Sequence, residues 1–124
     1  MPDQRKATGA LGEKLAADYL RKQGYRIREM NHRTRLGELD IVAEDKEYLV
    51  FVEVRTRHGA AFGLPEESIR YAKSEKLISL ALSYLQEHQN LPKLWRIDFV
   101  AVELTPDNKP KRIELIKNAV TGDR

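Results

Sequence analysis

The sequence predicts an α/β sandwich in which a mixed sheet is flanked by helices. Two segments carry apolar residues at helical spacing, and four or five carry the alternating or continuous apolar runs that are typical of strands. The predicted order is one helix, three strands, a second helix and one or two further strands. A sheet of this kind is buried by packing a helix against each face. A chain of 124 residues without an internal repeat or linker predicts one domain spanning residues 1–124.

The first helix is predicted to begin at Thr8, a suitable N-cap, and to run to about Gln23, with Gly24 as the residue that ends it. The polar residues before Thr8 are expected to fray. Glu13 borders the apolar face of this helix because small or apolar residues follow it at helical spacing. From the pattern alone, a surface Glu paired with a nearby Lys is the more common situation.

A weakly alternating segment, Tyr25 to Met30, predicts a strand with one exposed face. The residues from Asn31 to Leu36 form a basic stretch that we interpret as a loop. Its arginines, Arg33 and Arg35, are suited to contact phosphates, although a solvated loop explains them equally well.

A hairpin is predicted next, with strands at Glu38–Ala43 and Tyr48–Thr56 and a turn at Glu44–Glu47. The second strand is apolar at every position from Tyr48 to Val52, which is typical of a strand covered on both faces.

Acidic side chains gather at one end of this hairpin. A side-chain period of two puts Glu53 and Arg55 on one face of the second strand, and Glu38 and Asp40 on one face of the first. If the strands pair, three carboxylates and one guanidinium meet in a small patch. Ionised carboxylates at the end of a buried sheet are costly unless something pairs with them, and a divalent cation is the strongest available partner.

The second half of the chain predicts a loop, a helix and further strands. The stretch His58–Pro65 contains two Gly and one Pro, so we expect a loop beside the acidic patch. A helix follows at Glu66–Gln89, with a kink or restart near Ser74, and then strands at Trp95–Leu104 and Arg112–Lys117. The tail from Asn118 is expected to be loose.

Two charged residues interrupt the otherwise apolar strand near the C-terminus. Arg96 and Asp98 lie on one face of it, since they are two residues apart. They are expected to form a structural ion pair or to approach the end of the sheet, and they are not assigned to catalysis.

The charge distribution is more informative than the net charge of +3. Residues 1–35 hold nine Lys and Arg against four Asp and Glu, whereas residues 36–54 hold one against six. An acidic island in a basic surround suits a metal site approached by a polyanion, although charges also simply cover small proteins. The absence of cysteine excludes disulfides and thiol chemistry. No stretch is long and apolar enough for a membrane span or signal segment, so no membrane association and a cytoplasmic location are expected.

The spacing D-x12-E-x-R from Asp40 to Arg55 resembles the active-site motif of the PD-(D/E)xK nuclease superfamily, with Arg where that motif has Lys. The wider order of motifs resembles the YraN-like family, bacterial proteins of restriction-endonuclease-like fold. It consists of G-E-K-L-A-A, G-E-L-D-I-V-A, V-F-V-E-V-R-T-R, F-G-x-P-x-E-x-I-x-x-x-K and R-I-D-F-V-A-V. The resemblance covers nearly the whole chain and implies an αβββαβ restriction-endonuclease-like fold.

The resemblance implies a metal-dependent endonuclease that hydrolyses DNA phosphodiester bonds with Mg²⁺ or Mn²⁺. Asp40 and Glu53 are the expected metal ligands, with a carbonyl near Val54 as a further one. Glu13 is expected to join them, because a helix Glu at this place does so in junction-resolving nucleases. Glu38 is less certain, because many structural hairpins carry such a residue. Branched or single-stranded DNA is the implied substrate, and a homodimer is the implied assembly.

Arg55 leaves alternatives open. An arginine stays protonated and cannot act as a general base, but it stabilises charge on a phosphate. The protein is therefore either a nuclease, fast or slow, that works without the lysine, or a nucleic-acid-binding module that has lost catalysis. Lys73 matches a lysine of the family pattern and is, with Arg57, Arg33 and Arg35, a candidate for phosphate contact.

Overall fold

A five-stranded mixed sheet with a helix against each face forms the part of the chain that the computed structural model describes, residues 4–58 and 71–120, with side chains for 7–58 and 75–119. In chain order the elements are α1 (Gln4–Lys22), β1 (Arg26–Arg33), β2 (Glu38–Asp45), β3 (Tyr48–His58), α2 (Tyr71–Glu87), β4 (Leu94–Leu104) and β5 (Pro110–Val120).

The strands lie in the sheet in their sequence order, from β1 to β5. β3 and β4 are parallel, and the other neighbours are antiparallel. The predicted α/β class is confirmed, and the arrangement is consistent with a restriction-endonuclease-like fold. Within the described ranges no helix is both long and apolar enough to cross a membrane.

Each face of the sheet has its own hydrophobic core. On one face α1 packs against the sheet, and the buried residues of this helix and of the strands beneath it include Ala16, Ala17, Leu20, Ile41, Ala43, Val50, Val52, Val54, Val100, Val102 and Leu104. On the other face α2 does the same: Leu77, Ile78, Leu80, Ala81, Tyr84, Leu39, Val42, Leu49, Phe51 and Ile97. The alternation of β3 between the two clusters explains why its sequence is apolar without interruption.

The predicted end of α1 is confirmed, and its predicted start is wrong. Gly24 adopts φ 97°, and the Tyr25 N–H donates to the Leu20 carbonyl at 2.9 Å, which is the Schellman arrangement that a glycine permits. The helix already includes Gln4, so Thr8 lies inside it and does not cap it. The residues between are good helix formers, and their propensity outweighs the capping signal of one threonine.

Strand pairing also moves other predicted boundaries. β1 extends to Arg33, so Asn31–Arg33 are part of a strand and the loop is limited to residues 34–37. The hairpin turn is shorter than predicted, because Asp45 already pairs with Tyr48. In both places the backbone hydrogen bonds to β2 or β3 stabilise polar residues that carry little strand propensity of their own.

The later elements are close to their predicted positions. α2 and β4 match the expected helix and strand, and the two further strands both exist. The last strand is longer than predicted and includes Asn118, so the expected loose tail begins too early; there the Asn118 N–H donates to Asp98 at 2.9 Å. His58 belongs to β3 and not to the predicted loop, whose other residues, 59–65, lie outside the described residues, as does the predicted start of the helix at 66–70.

A buried polar network closes one end of the sheet, where β3 and β4 begin. Asp98 is fully buried and accepts hydrogen bonds from the Tyr25 hydroxyl at 2.7 Å and from Arg96 Nε at 2.9 Å. Arg96 also donates to Asp45 at 2.7 Å and lies over the Tyr48 ring. The predicted structural ion pair of Arg96 and Asp98 is therefore present, and it belongs to a larger network that joins Tyr25, the residue before β1, to β2 and β4.

Close contact between α1 and β3 depends on Gly12. A Cβ at this position would lie 1.8 Å from Thr56 Oγ1 and 2.8 Å from Thr56 Cβ, so rotation of the threonine side chain alone does not make room for it. The glycine therefore lets α1 approach β3 directly beside Glu13, the next residue of the helix.

We expect Gly12→Ala to lower the free energy of unfolding by about 1 kcal/mol. Overpacking costs about 1–3 kcal/mol, and alanine recovers only about 1 kcal/mol through helix propensity. Gly9→Ala is the matched control, because a Cβ there would meet no atom of another part of the described chain within 4 Å. Gly9→Ala should raise stability in the same urea titration. Equal effects of the two substitutions would contradict the close contact.

Tyr25→Phe should lower the free energy of unfolding by about 1.5–3 kcal/mol, the range for hydrogen bonds to charged groups. The substitution removes the hydroxyl that donates to Asp98 and accepts from Arg96. Tyr48→Phe serves as the control, since it retains the ring against Arg96. If chemical denaturation shows the same loss for both variants, the network does not carry the predicted stability.

Candidate metal centre

The β2–β3 ladder opens at the end of the hairpin, and a carboxylate takes the place of a backbone partner. The paired positions run from Asp45 and Tyr48 to Ile41 and Val52. Beyond them the Val54 N–H donates to Asp40 Oδ2 at 2.8 Å. The Asp40 side chain is thereby held by the backbone of the neighbouring strand, at the point where the strands separate.

Three carboxylates meet at this opening. One oxygen each from Glu13, Glu38 and Asp40 lies within 4.8 Å of the other two, and all three residues are half-buried. Glu13 comes from α1, and the other two come from β2. Glu53 on β3 adds a fourth carboxyl, which is within hydrogen-bonding reach of Asp40 and whose side chain is 6% exposed.

The crowding of carboxylates changes their protonation. Burial first, and then repulsion from Glu53, raises the pKa of Asp40 to about 8, although the hydrogen bond from the Val54 N–H opposes this. Burial and repulsion from Glu38 likewise raise the pKa of Glu13, against a hydrogen bond from the Asn31 side chain that lowers it. The site thus holds more negative charge than its surroundings offset.

Arg55 offsets part of this charge. Its Nη2 lies 3.3 Å from Glu53 Oε2, and its side chain is 35% exposed. Its Nε is buried and has no hydrogen-bond partner among the described residues. Arg55 therefore pairs with one carboxylate and keeps donor capacity that the described part of the chain does not use.

The donor set suits a hard divalent cation. All the ligand atoms that converge are carboxylate oxygens, which Mg²⁺, Mn²⁺ and Ca²⁺ prefer, whereas Zn²⁺ and Cu²⁺ favour sites with histidine or cysteine. Of the three predicted ligands, Glu13 and Asp40 belong to the closest group, whereas Glu53 lies beside Asp40 and outside that group. Glu38, which the sequence left uncertain, is part of the closest group.

The four residues predicted to contact phosphate lie in different elements and do not form one cluster among the described side chains. Arg57 is exposed at the end of β3, and Arg35 is exposed in the loop before β2. Arg33 is in β1 and pairs with Glu38, Nε to Oε2, at 2.9 Å. Lys73 lies in the first turn of α2, and its side chain is outside the described part of the structure. Their role in binding DNA stays a prediction.

Sequence reasoning missed two residues near the site. Asn31, interpreted only as part of a basic loop, reaches Glu13. Lys76, which was given no role, lies against Gly37, its Nζ 3.5 Å from where a Cβ would stand. Neither contact has a local signal, because each depends on how β1 or α2 packs beside the start of β2.

Comparison with known proteins identifies the family. The model of "Uncharacterised protein family UPF0102" matches residues 12–102. A UPF0102 protein of Dehalococcoides mccartyi is 49% identical over 120 residues, covering 97% of this chain and 98% of the relative. One from Pelotomaculum thermopropionicum is 46% identical over 119 residues, covering 96% and 99%. These matches confirm the YraN-like resemblance, and the chain belongs to the UPF0102 family.

Proposed function

We propose that this protein is a metal-dependent endonuclease that hydrolyses phosphodiester bonds of DNA, with branched or single-stranded DNA as the expected substrate. The observation that carries the proposal is the convergence of Glu13, Glu38, Asp40 and Glu53 where the hairpin ladder opens. The restriction-endonuclease-like arrangement of helices and strands supports it by analogy.

The site is energetically unfavourable without a cation. Half-buried carboxylates repel one another, and keeping them ionised requires a partner of opposite charge. Glu13, Asp40 and Glu53 would hold Mg²⁺ or Mn²⁺, with Glu38 beside them. When bound, such an ion polarises the phosphate and lowers the pKa of a bound water.

The residues of the chain support the rest of the reaction. In hydrolysis a water oxygen bonds to phosphorus, one P–O ester bond breaks, and the leaving oxygen takes up a proton. Glu13 lines a groove between α1 and β1, where its carboxylate is suited to orient the attacking water by accepting its hydrogen bond. Arg55 is suited to donate to the non-bridging phosphate oxygens, which carry more charge in the transition state. Because Arg55 does not lose its proton, a carboxylate must accept the proton of the water.

The ion pair of Arg55 with Glu53 favours a second candidate function. An arginine that neutralises a metal ligand weakens the site for a cation, and the PD-(D/E)xK motif that the sequence resembles has a lysine at this position. A nucleic-acid-binding module that retains the fold but cleaves slowly or not at all is therefore the alternative. Assembly as a homodimer on DNA, which junction-resolving nucleases suggest, is part of the proposal in both cases.

We expect Asp40→Asn to abolish Mn²⁺ binding measured by calorimetry and to stabilise the metal-free protein above pH 8. The folded-state pKa of Asp40 is raised from 3.8 to about 8, so the stability that its protonated form contributes is lost as the pH rises between these two values and is absent above the higher one. Asparagine keeps an oxygen for the Val54 N–H and carries no charge. The gain at pH 9 should be at least about 1.4 kcal/mol, the equivalent of one pKa unit.

Asp18→Asn is the control for this prediction. Asp18 is exposed on α1 and pairs with Arg21 at 3.2 Å. The control should bind Mn²⁺ like the wild type and show no gain in stability at pH 9. Retention of Mn²⁺ binding by Asp40→Asn would remove Asp40 from the proposed centre.

Cleavage should depend on Glu53 and should increase with Arg55→Lys. Glu53→Gln is expected to reduce the rate about 100-fold or more, as the loss of a charge-stabilising group does at catalytic sites. A lysine at position 55 supplies a flexible point charge that can also shift its pKa, which arginine cannot. The measurement is a panel of duplex, flap, junction and single-stranded DNA with Mg²⁺ and with Mn²⁺.

Glu87→Gln, at the exposed end of α2, is the matched control and should cleave at the wild-type rate. Activity that survives Glu53→Gln would indicate a contaminating nuclease. Binding of DNA with no cleavage by the wild type or by Arg55→Lys would support the second candidate function.

A further inference from the structure

Asn31 has an unusual backbone for a residue inside a strand. It adopts φ 55° within β1, between Met30, which pairs with Ile41, and His32, which pairs with Leu39. This left-handed conformation is disfavoured for residues with a side chain, and asparagine is among the few that tolerate it. Strained backbone of this kind is found preferentially where a function requires it.

The left-handed conformation changes the direction of the side chain. In a regular strand, Met30 and Asn31 would point to opposite faces of the sheet. Instead both line a groove of about 290 Å³ between β1 and α1, together with Glu13. In this position the Asn31 side chain lines the same groove as the Glu13 carboxyl and opposes the rise in the Glu13 pKa.

Arg33, two residues further along β1, makes a similar contact with a carboxylate. Arg33 stands opposite Glu38 in the β1–β2 register and pairs with it at 2.9 Å. The position between Met30 and His32 places Asn31 opposite Asp40. Edge strand β1 therefore contacts two of the three clustered carboxylates, Glu13 from α1 and Glu38 from β2.

We propose that Asn31 is a positioning residue that uses its left-handed backbone to hold Glu13 in the orientation required for a divalent cation. This inference rests on the proposed function, because it assigns Asn31 a role toward the same cation. A neutral amide suits this task. It donates a hydrogen bond to an ionised carboxylate and does not neutralise the charge that binds the cation. Outer groups that orient metal ligands in this way typically affect metal affinity by 10- to 100-fold.

A purely structural role of Asn31 would give different results from a positioning role. Asn90 also adopts a positive φ, 60°, in the exposed segment between α2 and β4. This segment leads into β4, which begins opposite Tyr48, five residues before Glu53 along β3. If Asn31 serves only the local conformation, then glycine, which adopts the same φ freely, should replace it without loss.

The test compares Asn31→Gly with Asn90→Gly in the full-length protein. Glycine preserves the backbone conformation at each position and removes only the side chain. Calorimetric titration with Mn²⁺ should show about ten-fold weaker binding for Asn31→Gly, in the range for groups that orient metal ligands. Asn90→Gly should bind like the wild type. Thermal denaturation checks that both variants fold.

A second readout requires no metal. The NMR signals of the Asn31 side-chain amide should shift when Glu13 is replaced by Gln, whereas those of the Asn90 side-chain amide should not. A shift at Asn31 alone supports the contact on which the inference depends. Insensitivity of the Asn31 signals to Glu13→Gln would overturn it.

The outcomes separate this inference from the proposed function. If the wild type and Asn31→Gly bind Mn²⁺ equally, Asn31 has no positioning role and the metal centre stands. If the wild type binds no Mn²⁺, the proposed function falls and the positioning role falls with it. Weaker binding by Asn31→Gly, with unchanged binding by Asn90→Gly, supports both.

Discussion

The hydrogen bond from the Val54 N–H to the Asp40 carboxylate is the interaction on which the site depends. A hairpin ladder normally pairs backbone with backbone, and here a side chain accepts the bond where the two strands separate. The substitution satisfies the Val54 N–H, which would otherwise be a costly unpaired donor. It also anchors Asp40 and lets β2 diverge, so that Glu38 turns toward α1 and meets Glu13. The carboxylates thus cluster at the same place where the pairing of β2 with β3 ends.

Buried charge is matched at the start of β3 and not matched at its middle, where the pairing with β2 ends. At its start, Asp98 and Asp45 surround Arg96, with Lys117 also 3.8 Å from Asp45, so the charges are matched and the network closes the fold. Where the β2–β3 ladder opens, four carboxyl groups lie near Arg55 and the exposed Arg33. With all four ionised, which the raised pKa of Asp40 opposes, two negative charges would be unmatched by these arginines, the charge of one divalent cation. Burial of unmatched charge costs free energy. The acidic cluster, and not the Arg96 network, is therefore the place where a cation would stabilise the fold.

The features that sequence could predict are those with a local chemical signal. The unbroken apolar run of β3 and Gly24 at the end of α1 were predicted correctly because each follows from properties of adjacent residues. The strand character of Asn31–Arg33 was missed because it comes from pairing with β2, and basic residues give no sign of a partner elsewhere in the chain. The candidate site divides in the same way. Asp40 and Glu53 share a recognisable spacing, whereas the contact of Asn31 with Glu13 joins a strand to a helix and has no spacing of its own.

Arg55 links the charge balance to the chemistry. One Nη of its guanidinium lies against Glu53, and its buried Nε has no partner among the described residues. A lysine has a single charged centre and would have to leave Glu53 to reach a phosphate, whereas arginine's separate donors allow both contacts at once. The cost is that arginine does not take a proton. In the proposed nuclease, the proton of the attacking water would therefore pass to a carboxylate and not to Arg55.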